Sequence, residues 1–138
     1  MKKFLIAAIM ACLCVFAASA EDTLDLTKPT SQIRFPEDWS LGKWYDAKWD
    51  ATWEFANNSI TLYKGSEKII SFSDNVTDYT CKVSTKGLVM SFKCAETNRT
   101  YQFIKPISLS TDIDLVVDRS DVPDSDPNKH WECTMKRQ

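Results

Sequence analysis

From Lys43 to Lys136 apolar and polar residues alternate in short runs, with Asn, Asp, Ser and Gly between the runs. A repeat of two marks strands that bury one face and wet the other, and no stretch carries the spacing of an amphipathic helix. The pattern predicts nine strands, at Lys43–Ala47, Ala51–Phe55, Ser59–Tyr63, Lys68–Ser73, Val76–Val83, Leu88–Cys94, Thr100–Lys105, Asp112–Arg119 and His130–Lys136. The turns between them include Ala56-Asn57-Asn58, Lys64-Gly65-Ser66-Glu67, Asp74-Asn75, Ser84-Thr85-Lys86-Gly87 and Ala95-Glu96-Thr97-Asn98. Gly and Asn accept positive φ there, and Asp or Ser can bond the nearby backbone. Connections this short join antiparallel neighbours, so the strand order is an up-and-down meander.

Parity sorts each strand into two faces. One face carries Trp53, Phe55, Ile60, Leu62, Ile70, Phe72, Tyr79, Cys81, Val83, Met90, Phe92, Cys94, Tyr101, Phe103, Ile113, Leu115, Val117, Trp131, Cys133 and Met135, and the other is mostly Thr, Ser, Lys, Glu and Asp. A sheet of eight or nine strands hides such a dry face, and removes its edges, by curling into a closed barrel. The fold class is therefore all-β, an antiparallel up-and-down meander barrel of eight to nine strands. A barrel in an outer membrane inverts this pattern and uses strands of about 9–11 residues. The polar face here is too rich in charge for lipid.

The first 40 residues read differently. Met1-Lys2-Lys3, an uninterrupted apolar run from Phe4 to Ala18, and Ala18-Ser19-Ala20 before two acids make a signal peptide cleaved after Ala20. That implies a periplasmic or secreted protein. Ile9-Met10-Ala11-Cys12 loosely matches a lipidation site at Cys12, but cutting there strands Leu13–Ala20 on the product, whereas the Ala20 site accounts for every residue. No later run is long enough to span a membrane. Residues 21–40 read as an N-terminal arm, with Pro36-Glu37-Asp38-Trp39 as a helical turn plugging one barrel end, and residues 41–138 as the barrel domain.

The chain has 17 basic and 19 acidic residues, and without Lys2 and Lys3 the balance is −4. No basic cluster offers itself to phosphates, so a nucleic-acid partner is not expected. Catalytic constellations are thin: one histidine, His130, three glycines, and no His-Glu-x-x-His or Gly-x-Ser-x-Gly. His130 reads as a solvated residue at a strand start, and no enzyme activity and no cofactor are expected. Asp124-x-Asp126-x-Asn128 copies the opening of a calcium loop, but Lys129 stands where the sharp-turn Gly is required and Met135 where the closing Glu is required. No metal site is assigned.

Cys81, Cys94 and Cys133 follow the signal and all share the apolar parity. If the Ser84–Gly87 turn pairs Val83 with Leu88, then Cys94 faces Thr77 and lies roughly 13 Å along the ladder from Cys81. A disulfide needs Cα atoms within about 7 Å. Buried thiols and one bridge both remain open. Asn57-Asn58-Ser59, Asn75-Val76-Thr77 and Asn98-Arg99-Thr100 have the form of glycosylation acceptors at turns and are read as turn chemistry.

A Gly-x-Trp motif at the first strand, Gly42-Lys43-Trp44, after a short turn and before an antiparallel meander, resembles the lipocalin superfamily, and in particular small lipocalin-like domains of exported bacterial proteins. The resemblance covers about residues 36–138. It implies a structural closure in which Arg137, or Lys136, packs over Trp44 beside Gly42. It also implies a carrier holding a small apolar or amphipathic ligand within the barrel, against the inward Trp53, Phe72, Phe92, Tyr101, Phe103 and Met135. So many inward aromatics leave a second expectation open, a barrel packed by its own side chains that presents the loops Lys64–Lys68, Ala95–Arg99 and Asp118–Lys129 to a protein partner.

Overall fold

The computed structural model describes residues 27–138. The expected signal peptide, its cleavage after Ala20 and the Cys12 alternative lie outside the described residues. Among those described there is no helix, and hence none long and apolar enough to cross a membrane. The nine strands are β1 (Gly42–Asp46), β2 (Ala51–Ala56), β3 (Ser59–Lys64), β4 (Glu67–Phe72), β5 (Thr77–Ser84), β6 (Gly87–Cys94), β7 (Arg99–Pro106), β8 (Ile113–Arg119) and β9 (His130–Arg137). Each bound falls within one residue of the position that periodicity predicts.

All pairings are antiparallel and the strands form one curled sheet in the order β4-β3-β2-β1-β9-β8-β7-β6-β5. The architecture is thus all-β and up-and-down, with β1 and β9 joined through Trp44↔Arg137 and Tyr45↔Lys136. The expected closed circle is interrupted at one place, because β4 and β5 do not pair. Local bonding explains this. The Asn75 side chain accepts from Ser73 N at 3.0 Å and donates to Ser71 O at 3.0 Å, folding the connection back on itself instead of into a hairpin. The N-terminal arm then meets both sides of the seam: Ile33 N donates to Ser73 O at 2.7 Å, and Thr30 and Tyr79 exchange backbone bonds at 3.0 and 2.9 Å. Backbone groups at the seam find partners in the arm, which an unprotected edge would not supply.

The apolar parity forms the core. Trp53 is its hub, with ring centroids 5.3 Å from Phe103, 5.9 Å from Tyr101 and 6.3 Å from Phe72. Phe92 stacks on Tyr101 at 5.3 Å and meets Phe72 at 5.2 Å. Burying each such ring stabilises the fold by about 1.5–3 kcal/mol, with further gain from edge-to-face contacts. At one end of β2, Phe55 is surrounded by Phe35, Trp39 and Trp44, at 6.1, 5.6 and 5.4 Å. The segment Pro36–Trp39 makes a single turn, with Trp39 N bonded to Pro36 O at 3.0 Å, and buries Trp39 there.

Two expectations about β5 are corrected. Asp78 adopts a positive φ of 53° and adds a bulge, so Thr77 pairs with Lys93 and not with Cys94. Val83, at the hairpin tip, is 81% exposed and not part of the core. Cys81, Cys94 and Cys133 are all free thiols, so no bridge forms among them.

Candidate functional site

The opposite end of β2 from Phe55 begins at Ala51, and the turn before it is organised by Asp46, the last residue of β1. Asp46 is fully buried. Its Oδ1 accepts Lys48 N at 2.9 Å, Trp49 N at 3.2 Å and the Cys133 thiol at 3.4 Å, and its Oδ2 accepts Trp53 Nε1 at 3.3 Å. Two of these donors are turn amides, the bonding that suits Asp ahead of a tight turn. On the outer side the Tyr45 hydroxyl donates to Asp50 Oδ1 at 2.6 Å, and this contact raises the Tyr45 pKa. Pinned from both faces, the turn holds Trp49 over Trp53 at 6.4 Å.

Trp49 also meets Trp131 at 5.0 Å, and the guanidinium carbon of Arg99 lies 5.1 Å from the Trp49 ring and 5.3 Å from the Trp131 ring. The three groups form a nearly equilateral triangle, a geometry in which both indoles attract the cation. Arg99 opens β7 on the same parity as Tyr101 and Phe103. Arg99 Nε is buried without a hydrogen-bond partner among the described residues, as is Trp131 Nε1. Across the ladder Arg99 faces another arginine, Arg119. Arg119 binds Asp121 through two bonds of 3.1 and 2.9 Å, and the pair lowers the Asp121 pKa. No carboxylate lies within ion-pair distance of Arg99 among the described residues.

This triangle borders a cleft of about 610 Å³. Its apolar wall is Ala51, Leu62, Ile69, Ile70 and Tyr101, and its charged lining is Lys48, Lys64 and Arg99, with no acid. Ile69 reaches the mouth because the β3–β4 register shifts: Leu62 pairs with Ile70 and Tyr63 with Lys68, leaving Ile69 as the extra residue of a bulge, 51% exposed. Lys64 Nζ donates to Trp49 O at 3.3 Å, tying the hairpin to the turn. A smaller cavity of about 260 Å³ shares Lys48, Trp49 and Arg99 and adds Arg119 and His130. Burial is the main cause of a raised Tyr101 pKa, opposed by the Thr97 hydroxyl and Arg99.

Of the inward residues that the family resemblance assigns to a ligand, Trp53, Phe72, Phe92, Tyr101, Phe103 and Met135 all lie buried in one core. Only Tyr101 among them lines the cleft. Gly42, Trp44 and Arg137 are brought together at the other end: the Arg137 guanidinium stands 5.3 Å from the Trp44 ring, and Trp44 Nε1 donates to Thr111 O at 2.8 Å. Gly42 has a φ of 131°, where a side chain is strained.

The acidic loop is occupied by its own bonds. Asp124 pairs with Lys129, and Asp126 Oδ1 accepts Asn128 N at 2.7 Å. His130 is exposed, with Nδ1 2.6 Å from Asp118 and Nε2 3.1 Å from Glu132, and the two carboxylates raise its pKa. Burial pushes the Cys81 thiol up to about 11, and burial together with Asp46 pushes Cys133 up to about 12. Neither is an activated nucleophile.

Sequence reasoning did not single out Asp46, Lys48 or Trp49, and it placed Lys64 and Arg99 only at the ends of the loops Lys64–Lys68 and Ala95–Arg99 offered to a protein partner, not in a shared cleft. The signal was present in parity: one step beyond the inward Leu62 is Lys64, one step before Tyr101 is Arg99, and one step before Ala51 is Trp49. No family model matches the chain, and neither does any curated protein or solved structure.

Proposed function

We propose that the protein is an exported, lipocalin-like binding protein that takes a small amphipathic molecule in the cleft at the Trp49–Arg99 end of the barrel. The observation that carries the reading is the cleft itself. Its volume of about 610 Å³ sits within the ~300–1,000 Å³ range of ligand pockets, and its wall is largely apolar with a few polar groups converging on it. The deep interior is filled by Trp53, Phe72, Phe92 and Phe103, so the ligand sits at the mouth and uses Tyr101 as its floor. The reading is one of binding without catalysis. Export rests on the Lys2–Ala20 sequence alone.

The packed interior favours a second reading, a module that binds a protein through its loops. A neutral probe that brightens in apolar surroundings, N-phenyl-1-naphthylamine, separates the two. The carrier reading expects saturable brightening that weakens several-fold on Leu62→Ala or Ile70→Ala and is indifferent to Asp121→Ala or Asp124→Ala. Absence of saturable binding, or dependence on the two aspartates alone, overturns it in favour of the loop-presenting module.

A further inference from the structure

The charged lining of the cleft is out of balance with the rest of the molecule. The chain as a whole is slightly acidic, at −2, yet Lys48, Lys64 and Arg99 line one cavity with no carboxylate among its lining residues. The imbalance is least expected at Arg99. Its cross-strand neighbour Arg119 is a like charge, and like charges directly opposite one another oppose sheet pairing. Arg119 is neutralised by Asp121 at bonding distance, whereas Arg99 has no carboxylate within ion-pair distance among the described residues: it lies against the Trp49 and Trp131 rings and beside the Tyr101 hydroxyl, with Nε buried and without a hydrogen-bond partner among those residues. Indole rings fix the position of a guanidinium without cancelling its charge. The N–H groups that remain suit a planar two-oxygen anion.

Resting on the reading of the cleft as a ligand site, we propose that its ligand is a single-chain anionic amphiphile, with a carboxylate or similar anionic head on Arg99, Lys48 and Lys64 and an apolar tail along Leu62, Ile69 and Ile70. The head relieves the unbalanced cationic cluster, and the tail covers the bulge residue Ile69, which is otherwise half exposed. Each half alone binds more weakly than the two joined. A free anion would leave the apolar wall wet, and an uncharged tail would desolvate three cations without a counter-charge.

Isothermal titration of the purified protein with decanoate and with decan-1-ol, both below their aggregation limits, tests the assignment. Decanoate is expected to bind at least about tenfold more tightly than the alcohol, the discrimination that one charge-assisted contact supplies. Arg99→Gln should weaken decanoate far more than decan-1-ol, so that the preference is lost, while Lys93→Gln, on the outer face, should leave the preference intact. Because Arg99→Gln disturbs the indole triangle, the exposed pair Lys48→Gln/Lys64→Gln provides a second arm, expected to weaken decanoate about threefold or more in protein that still unfolds cooperatively. Equal affinity for the two ligands overturns the anionic assignment and leaves the carrier reading standing. Binding of neither overturns both. A decanoate preference indifferent to all three cations overturns the site, and sedimentation with phosphatidylglycerol vesicles without decanoate binding overturns the free amphiphile in favour of a membrane surface.

Discussion

Arg137 and Trp44 are register partners across the β1–β9 seam, and the guanidinium lies 5.3 Å from the indole ring whose nitrogen is bonded to Thr111 O. Trp44 is fully buried, so Trp44→Ala is expected to cost about 3–5 kcal/mol in urea unfolding, as for large core aromatics. Arg137→Ala should cost roughly 1 kcal/mol. A double-mutant cycle should return a non-zero coupling. Strictly additive losses would show that the contact contributes nothing to closure.

Asp46 is expected to be the most sensitive polar residue of the cleft region. Asp46→Ala leaves two turn amides and Trp53 Nε1 without their acceptor, at a cost of roughly 3 kcal/mol. Asp46→Asn should cost less, since its amide oxygen can still serve the turn. Chemical denaturation of the two variants ranks them, and an Asn variant as damaged as the Ala variant would contradict the role of the turn amides.

His130 gives stability a pH dependence of known sign. Asp118 and Glu132 raise its pKa in the folded protein above the unfolded value of about 6.5. Binding the proton more tightly when folded, His130 contributes fully below about pH 6.5, and the contribution is lost as pH rises through the higher folded value. The Tm advantage of the wild type over His130→Gln should therefore be largest at or below about pH 6.5 and shrink as pH rises above it. A difference that grows with pH would reverse the assignment. The site is exposed, so the effect is small.

Gly65, in the β3–β4 turn, and Gly87, the first residue of β6, both have positive φ, yet they should respond differently to alanine. A Cβ on Gly87 would lie 2.1 Å from Lys105 O, whereas one on Gly65 meets nothing within 4 Å. Gly87→Ala is expected to cost about 3 kcal/mol or more, and Gly65→Ala only the backbone term of about 1–2 kcal/mol. Thermal unfolding distinguishes them.

Periodicity located the strands well because a half-buried sheet writes its two faces directly into alternate residues, as in Thr100-Tyr101-Gln102-Phe103. Where the backbone departs from that repeat, the sequence was mute: Asp78 shifts the β5 register, and nothing in Thr77-Asp78-Tyr79 announces a bulge. Failure of β4 and β5 to pair depends on Asn75 and on an arm some forty residues upstream, a long-range competition invisible to local pattern. The cleft was hidden for another reason. Arg99 and Lys64 are charged residues on inward parity, and a rule that equates inward with apolar stops one residue short of each. Asp46 escaped because a buried carboxylate is recognised by its donors, which come from a turn, a core indole and a strand some ninety residues away.

Seven of the eight strand pairings join neighbours in sequence, and the eighth joins β1 to β9. During synthesis the hairpins can therefore assemble as they emerge, while the free edge of β1 and the uncovered Trp44 wait for the last strand. A chain interrupted before Thr134-Met135-Lys136-Arg137 keeps that edge and that ring on display, the features that proteases and chaperones recognise. Cover for the outer edge of β1 thus rests on one two-residue ladder, Trp44–Tyr45 against Lys136–Arg137.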